Sequence, residues 1–334
     1  MRGAAAFALA VSASLLVLGP ASAQQSTTGS APPLVAPAPA LVPGGAPPLA
    51  TAPGLTPSRA PAATPAAGGT KSAAKCDNPN ALGVSRTVEI DTTGGPGFGF
   101  EHFKQLDFLR DKEVVLTFDD GPWPTTPAVL KALAAECVKA IFFPIGKHAT
   151  YYPEILRQVA AGGHTIGSHT WSHKDLSTIK SPDEAKAEIE KAVSAVKWAL
   201  GDEGREAPFF RFPALRHPPE MVTYLGTRNI AIFSTDMDSF DFKMRKPEQV
   251  IKSIMTKLQK HGKGIVLMHD FQKATSEAVP QLLAELKAGG YKIVHMKARG
   301  TVTSLPQYDE ELVKEAKLPT VSTRPVSSVV REVE

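Results

Sequence analysis

Two carboxylates stand side by side at Asp119 and Asp120, at the end of the apolar run 114–118 and just before Gly121 and Pro122. Like charges at the mouth of an apolar strand repel unless something neutralises one of them. A cation bound by one carboxylate does so and leaves the other free as a base. His169 and His173 are four positions apart, so on a helical turn their rings face the same way. Two imidazoles and one carboxylate make a three-ligand site with positions open for water and substrate, the coordination of catalytic Zn2+, although Co2+ and other divalent ions also accept that set. A surface Asp-Asp-Gly-Pro turn and a His pair on a surface helix are the plain alternatives, and only convergence of the two motifs separates them from a metal centre. His269 follows the apolar residues 265–268 and has Asp270 beside it. At such a rim an imidazole that titrates near neutral pH suits hydrolysis. Arg211, after Phe209 and Phe210, is a guanidinium leaving an apolar strand and requires a carboxylate, with Asp119 as its natural partner.

These residues can meet only if their elements converge. Apolar, β-rich runs occur at 114–118, 140–143, 164–167, 209–211, 230–233, 264–268 and 292–295, with a possible extra strand at 86–90. Between the seven runs lie helix-patterned segments at 127–135, 153–161, 183–200, 219–226, 247–260 and 277–288. Ser181-Pro182-Asp183-Glu184 supplies a cap, a first-turn proline and two acids for the third helix, and Gly201 follows its end. The alternation predicts an α/β fold with a parallel sheet buried on both faces, either a barrel one unit short of the eight-fold kind or an open doubly wound sheet. Both place active sites at the carboxyl ends of strands. That is where Asp119-Asp120, His169–His173, Arg211, the acidic run Asp236, Asp238 and Asp241, and His269 all fall. The glycine-rich 94–97 lacks a strand–loop–helix setting and reads as a turn. His102, His148, His164, His217, His261 and His295 read as structural or surface histidines.

The rest of the chain sets the context. Residues 1–23 have a basic start, an apolar core and a small-residue cleavage site, the anatomy of a signal peptide, and the apolar run is short of the roughly 20 residues of a membrane span. Residues 24–75 are rich in Pro and Ala and read as a disordered linker. An N-terminal extension is expected at 76–107, a catalytic domain at 108–300 and a poorly ordered tail at 301–334. The chain is therefore expected to be exported, secreted or periplasmic, with no transmembrane segment, and to act as a monomer. A dispersed net charge of +4, with no basic and aromatic cluster, gives no sign of nucleic-acid binding. The two cysteines, Cys76 and Cys137, could form one disulfide in an oxidising compartment, but spacing cannot show that they approach.

TFDDGP, HTWSH, FRFP, DSFDF and LMH, in that order, resemble the five motifs of the polysaccharide deacetylases, carbohydrate esterase family four, which includes the chitooligosaccharide deacetylases. The resemblance spans 112–296. It implies a distorted seven-stranded (β/α) barrel of parallel strands. It also implies Asp119 as general base, Asp120, His169 and His173 as metal ligands, Arg211 as the group orienting the base, and His269 as general acid. Pro213, Ala214, Leu267 and Phe242 would line the substrate site, Leu267 against the acetyl methyl and Ala214 through its N–H to an oxyanion. Asp241 would pair with His269, with Asp238 the alternative. Two positions depart from the family pattern: Ala214 stands where an aromatic residue is usual, and Phe242 where the fourth motif normally has Trp. The implied activity is metal-dependent removal of N-acetyl groups from an amino-sugar glycan, such as peptidoglycan, a chitin-like chain or poly-N-acetylglucosamine. Hydrolysis of O-acetyl esters or a non-sugar amide on the same scaffold, and non-catalytic glycan binding at the envelope, are the other readings.

Overall fold

The computed structural model describes residues 76–315. The residues read as a signal peptide (1–23) and as a linker (24–75), and those beyond 315, lie outside the described residues. In chain order the elements are β1 (Arg86–Ile90), β2 (Gly97–Phe98), β3 (Glu113–Asp119), α1 (Thr126–Ala135), β4 (Ile141–Phe143), α2 (Gly146–Tyr151), α3 (Pro153–Ala161), β5 (Thr165–Ile166) and α4 (Pro182–Leu200). They continue with β6 (Phe209–Phe210), α5 (Pro219–Thr227), β7 (Ala231–Phe233), β8 (Met237–Asp238), α6 (Pro247–His261), β9 (Gly264–His269), α7 (Lys273–Ala288), β10 (Lys292–Ala298) and α8 (Pro306–Glu315). Among the described residues no helix is long and apolar enough to cross a membrane.

Every strand pairing is parallel. All seven residues of β3 are buried, as a strand covered on both faces requires. β3 pairs with β9 along one edge and with β10 and then β4 along the other. β5 joins β4, a single bridge from Ser168 to Phe210 carries the sheet on to β6, and β7 follows. β8 pairs with β9 from the other side. The strands β3 to β9 thus form the expected seven-stranded α/β barrel, left open because no ladder among the described residues joins β7 to β8. The apolar faces of α1, α6 and α7 pack outside it, Val129, Leu133, Ile254, Leu258, Leu282 and Leu286 being buried against Phe118, Val266 and Met268.

Several expectations are corrected. The acidic run after β7 contains a strand, β8, too short to show a period. The run at 292–295 lies outside the barrel circuit, between β1 and β3. Residue 97 begins β2, which pairs with β7, although Gly94 and Gly95 form the expected turn with φ of 75° and 69°. Helix α7 begins four residues earlier than its pattern indicated, and α2 had no recognisable pattern. The tail is helical over Pro306–Glu315 where poor order was expected. Leu312 is buried, and Lys191 and Lys197 of α4 pair with Glu311 and Asp309 at 2.7 and 3.0 Å.

Cys76 and Cys137 form a disulfide with their Cα atoms 5.8 Å apart, tying the start of the described chain to a point two residues beyond α1. Closing a loop across a separation of 61 residues removes about 4 kcal/mol of unfolded-state entropy in the chain-entropy model. Cys76→Ser is therefore expected to lower unfolding free energy in urea by about 2–4 kcal/mol. Equal midpoints for oxidised wild type and variant would contradict this.

Candidate active site

The site grows from the ends of β3 and β9, whose register sets Asp119 opposite His269. Asp119 is buried among apolar walls, which pushes its carboxyl up to about 6 even though the Arg211 guanidinium opposes the rise. Arg211 Nη1 donates to Asp119 Oδ1 at 2.7 Å and to Thr117 Oγ1 at 2.7 Å. Its remaining donors reach the Phe233 and Ser234 carbonyls at 3.3 and 2.8 Å, and the guanidinium lies over the Phe143 ring. With no accessible surface, the guanidinium cannot swing away, so Asp119 is held in one orientation.

Asp120 follows in the left-handed region at φ 70°, which turns its carboxylate away from the strand line. Asp120 Oδ1 lies 3.5 Å from His169 Nε2 and 3.3 Å from His173 Nε2, and the three donor atoms fall within 4.8 Å of one another. The two histidines do not share a helical turn. Residues 169–175 form a loop, and left-handed backbone at Thr170 (φ 63°) and His173 (φ 59°) brings the rings to 5.0 Å between centroids. Glu188 of α4 shapes that loop, accepting from Ser172 N at 2.9 Å and Ser172 Oγ at 2.8 Å, while its carbonyl takes Trp171 N at 2.7 Å.

Whether these residues suit a cation can be judged from their donors. His169 Nδ1 donates to the Arg211 carbonyl at 2.6 Å, which leaves the Nε2 lone pair facing Asp120. Burial holds this imidazole well below its ordinary pKa, so it stays neutral. Asp120 Oδ1 is buried without a hydrogen-bond partner. Lone pairs facing one another across 3.5 Å are repulsive unless a positive centre lies between them, and a divalent ion fits that donor set.

His269 is fixed from behind. Its Nδ1 donates to Asp241 Oδ1 at 2.6 Å and its backbone N–H to Asp241 Oδ2 at 2.8 Å, and Thr275 Oγ1 donates to Oδ2 at 2.5 Å. Asp238 instead accepts from the Phe240 N–H. Burial by itself lowers the His269 pKa, but the bond and charge of Asp241, with Asp120 and Asp119, outweigh it and raise it to about 9. His269 Nε2 points into the site, 3.9 Å from Asp120 Oδ2. Leu267, two residues earlier on the same face of β9, is buried beneath it.

A family model described as polysaccharide deacetylase matches residues 108–230. The chain is 31% identical over 195 residues to the chitin deacetylase of Colletotrichum lindemuthianum, a match covering 54% of this chain and 76% of that protein. The chain belongs to the polysaccharide deacetylase family. It is also similar to a peptidoglycan-N-acetylglucosamine deacetylase of Listeria monocytogenes, 32% identical over 191 residues, covering 55% of this chain but only 38% of that longer protein. Among solved structures, a peptidoglycan deacetylase of Bdellovibrio bacteriovorus superposes with a TM-score of 0.58 at 35% identity, covering 64% of this chain and 59% of that one.

The two departures from the family's motifs now have surroundings. This deacetylase-family chain places Ala214 in an exposed 3-10 turn, Pro213–Leu215, with φ 53°, and Pro213 is buried beneath it. Phe242 is 48% exposed, with its ring centroid 5.6 Å from His269, and the exposed Phe240 stands beside it at 6.2 Å. Phe240, inside the DSFDF motif but given no role there, thus adds aromatic surface to the rim. A cavity of about 560 Å³ lined by Phe100, Leu106, Phe108, Lys263 and Ile265 lies at the amino end of β9, away from the chemistry.

Three residues with no assigned part in the site support it, among them His148, which read as structural or surface. His148 Nδ1 donates to the Asp120 carbonyl at 2.6 Å and so holds the backbone of a ligand residue. Thr117 and Glu188 hold Arg211 and the histidine loop. Glu188 carried a legible signal, a carboxylate on the face of α4 that also buries Ala185, Ile189 and Ala192. His148 carried none.

Proposed function

We propose that this chain is a metal-dependent N-deacetylase of an amino-sugar glycan. The observation that carries this reading is the convergence of the Asp120, His169 and His173 donors within 4.8 Å, flanked by the Asp119–Arg211 pair on one side and His269–Asp241 on the other. A divalent ion held there, Zn2+ or Co2+ by its ligand set, would supply Lewis acidity towards a water and the acetamido carbonyl.

The chain's own residues then have distinct work. Asp119, kept ionised and oriented by Arg211, takes the proton from the attacking water. Its buried setting gives a base far stronger than a solvated aspartate. As water adds to the carbonyl carbon, the Ala214 N–H is the donor we assign to the developing oxyanion charge. His269, protonated because of Asp241, gives its proton to the leaving nitrogen as the carbon–nitrogen bond breaks. Acetate and a free amine result. Leu267 limits the acyl pocket to a methyl group, and Phe242 with Phe240 offers apolar surface to a sugar ring. The reading of 1–23 as a signal peptide supports export to the periplasm or beyond, where the protein, which we take to act as a monomer, would meet peptidoglycan or another N-acetylated glycan.

The test is acetate released from N-acetylglucosamine oligomers and from peptidoglycan, after chelation and again after zinc is restored. Zinc-dependent release supports the proposal. Release only from O-acetylated xylan would move the reaction to esters, and glycan binding without release from any substrate would leave a binding protein.

The pH dependence has a definite sign. Asp119 must be ionised, above about 6, and His269 protonated, below about 9, which gives a bell-shaped kcat/KM profile. A dication beside these groups moves both limbs to lower pH. Asp241→Asn removes the main group that raises His269, so the alkaline limb should fall by one pH unit or more, about 1.4 kcal/mol per unit. An unmoved alkaline limb would remove Asp241 from this role.

A further inference from the structure

The residue after His269 is the first beyond β9 and stands in a turn. That residue, Asp270, has no accessible surface. It lies against Gly121 of the Asp119–Pro122 turn, in a small space lined by Phe118, Pro122, Phe142 and Leu156. Its Oδ2 accepts from Thr126 Oγ1, and that hydroxyl in turn accepts from Trp123 N at 2.9 Å. The Asp270 carbonyl accepts from Thr125 Oγ1 at 2.8 Å. A Cβ at Gly121 would overlap both Asp270 carboxylate oxygens, so the glycine of the turn is required by this side chain. Oδ1 has no hydrogen-bond partner among the described residues. The mechanism above gives Asp270 no role, and a buried carboxyl among phenylalanines needs one.

We propose that Asp270 is a positioning residue that clamps the Asp119–Asp120 turn of β3 to the His269 end of β9. Through Thr125, Thr126 and contact with Gly121, it ties the strand end carrying the acid to the turn carrying the base and a cation ligand. The clamp works through shape and the Thr126 bond. Burial pushes the carboxyl up to about 7, and an amide of the same shape can accept the same bond. The part of this proposal that concerns turnover rests on the reaction proposed above, whereas the part that concerns cation affinity does not.

The test uses the full chain and two readouts, Zn2+ binding by calorimetry or chelator competition and deacetylation of N-acetylglucosamine oligomers. Asp270→Ala and Thr126→Val are each expected to weaken Zn2+ affinity and lower kcat by about 10–100-fold, the range seen when groups supporting metal ligands are removed. KM should change by less than about three-fold, because no proposed substrate contact is lost. Asp270→Asn should keep both readouts within about three-fold of wild type. Asp270→Ala with an intact near-ultraviolet circular dichroism spectrum and wild-type Zn2+ affinity and kcat would overturn the clamp. So would Asp270→Asn as impaired as Asp270→Ala. If Asp270→Ala does not fold, Thr126→Val decides, and wild-type values for it would overturn the proposal. Loss of Zn2+ affinity in a protein that deacetylates nothing would support the clamp while the proposed reaction fails.

Discussion

Asp119→Asn is expected to lower kcat by about 10³-fold or more while leaving Zn2+ affinity within a few-fold of wild type. The amide cannot accept a proton, but it keeps the volume of the carboxyl and can still accept from Arg211 Nη1, now 2.7 Å from Asp119 Oδ1. Asp120, His169 and His173 are untouched, so the ion site persists. The substitution also removes the charge that balances a fully buried guanidinium, which costs stability. The thermal midpoint should therefore fall, although the Thr117, Phe233 and Ser234 contacts still hold Arg211. Single-turnover deacetylation and zinc calorimetry on the same preparation separate these effects. A variant retaining more than about a tenth of the wild-type rate would remove Asp119 as the base.

The second large effect is expected at His169. Of the two imidazoles it is the buried one, its tautomer set by the Arg211 carbonyl, whereas the side chain of His173 is 41% exposed. His169→Ala should lower Zn2+ affinity by more than the roughly 10–100-fold that loss of a supporting group costs, and abolish turnover at stoichiometric zinc. Excess zinc should restore little of the rate, since two ligands cannot reproduce the site. His169→Ala with wild-type zinc affinity would show that the ion, if bound, is held elsewhere. Because Arg211 supplies both the guanidinium for Asp119 and the carbonyl for His169, base and ion site share one anchor. Substitutions at Arg211 should therefore disturb both together.

Much of this protein was legible in its sequence. The apolar runs at 114–118 and 264–268 reported β3 and β9 because a parallel strand buried on both faces needs no polar residues and leaves an uninterrupted signal. Asp119, Asp120, Arg211 and His269 were visible for the converse reason: a charged side chain at the end of such a run has to be compensated. The order of the motifs then pointed to the family to which the chain belongs.

Tertiary structure decided what depends on several segments at once. β8 has two residues and no period, and it is a strand only because β9 lies beside it. His169 and His173 meet through two left-handed residues and the grip of Glu188, where their spacing alone suggested a helix. The choice of Asp241 over Asp238 turned on a 3-10 turn at Asp241–Lys243 that no local pattern announced. His148 and Asp270 looked ordinary because their bonds, from α2 to the Asp120 carbonyl and from the end of β9 to Thr126 at the start of α1, join segments far apart in the chain and have no counterpart in local sequence. Residue type and period therefore determined the strands and the chemistry at their ends. The arrangement of the groups holding that chemistry in place was settled by packing between segments far apart in the chain.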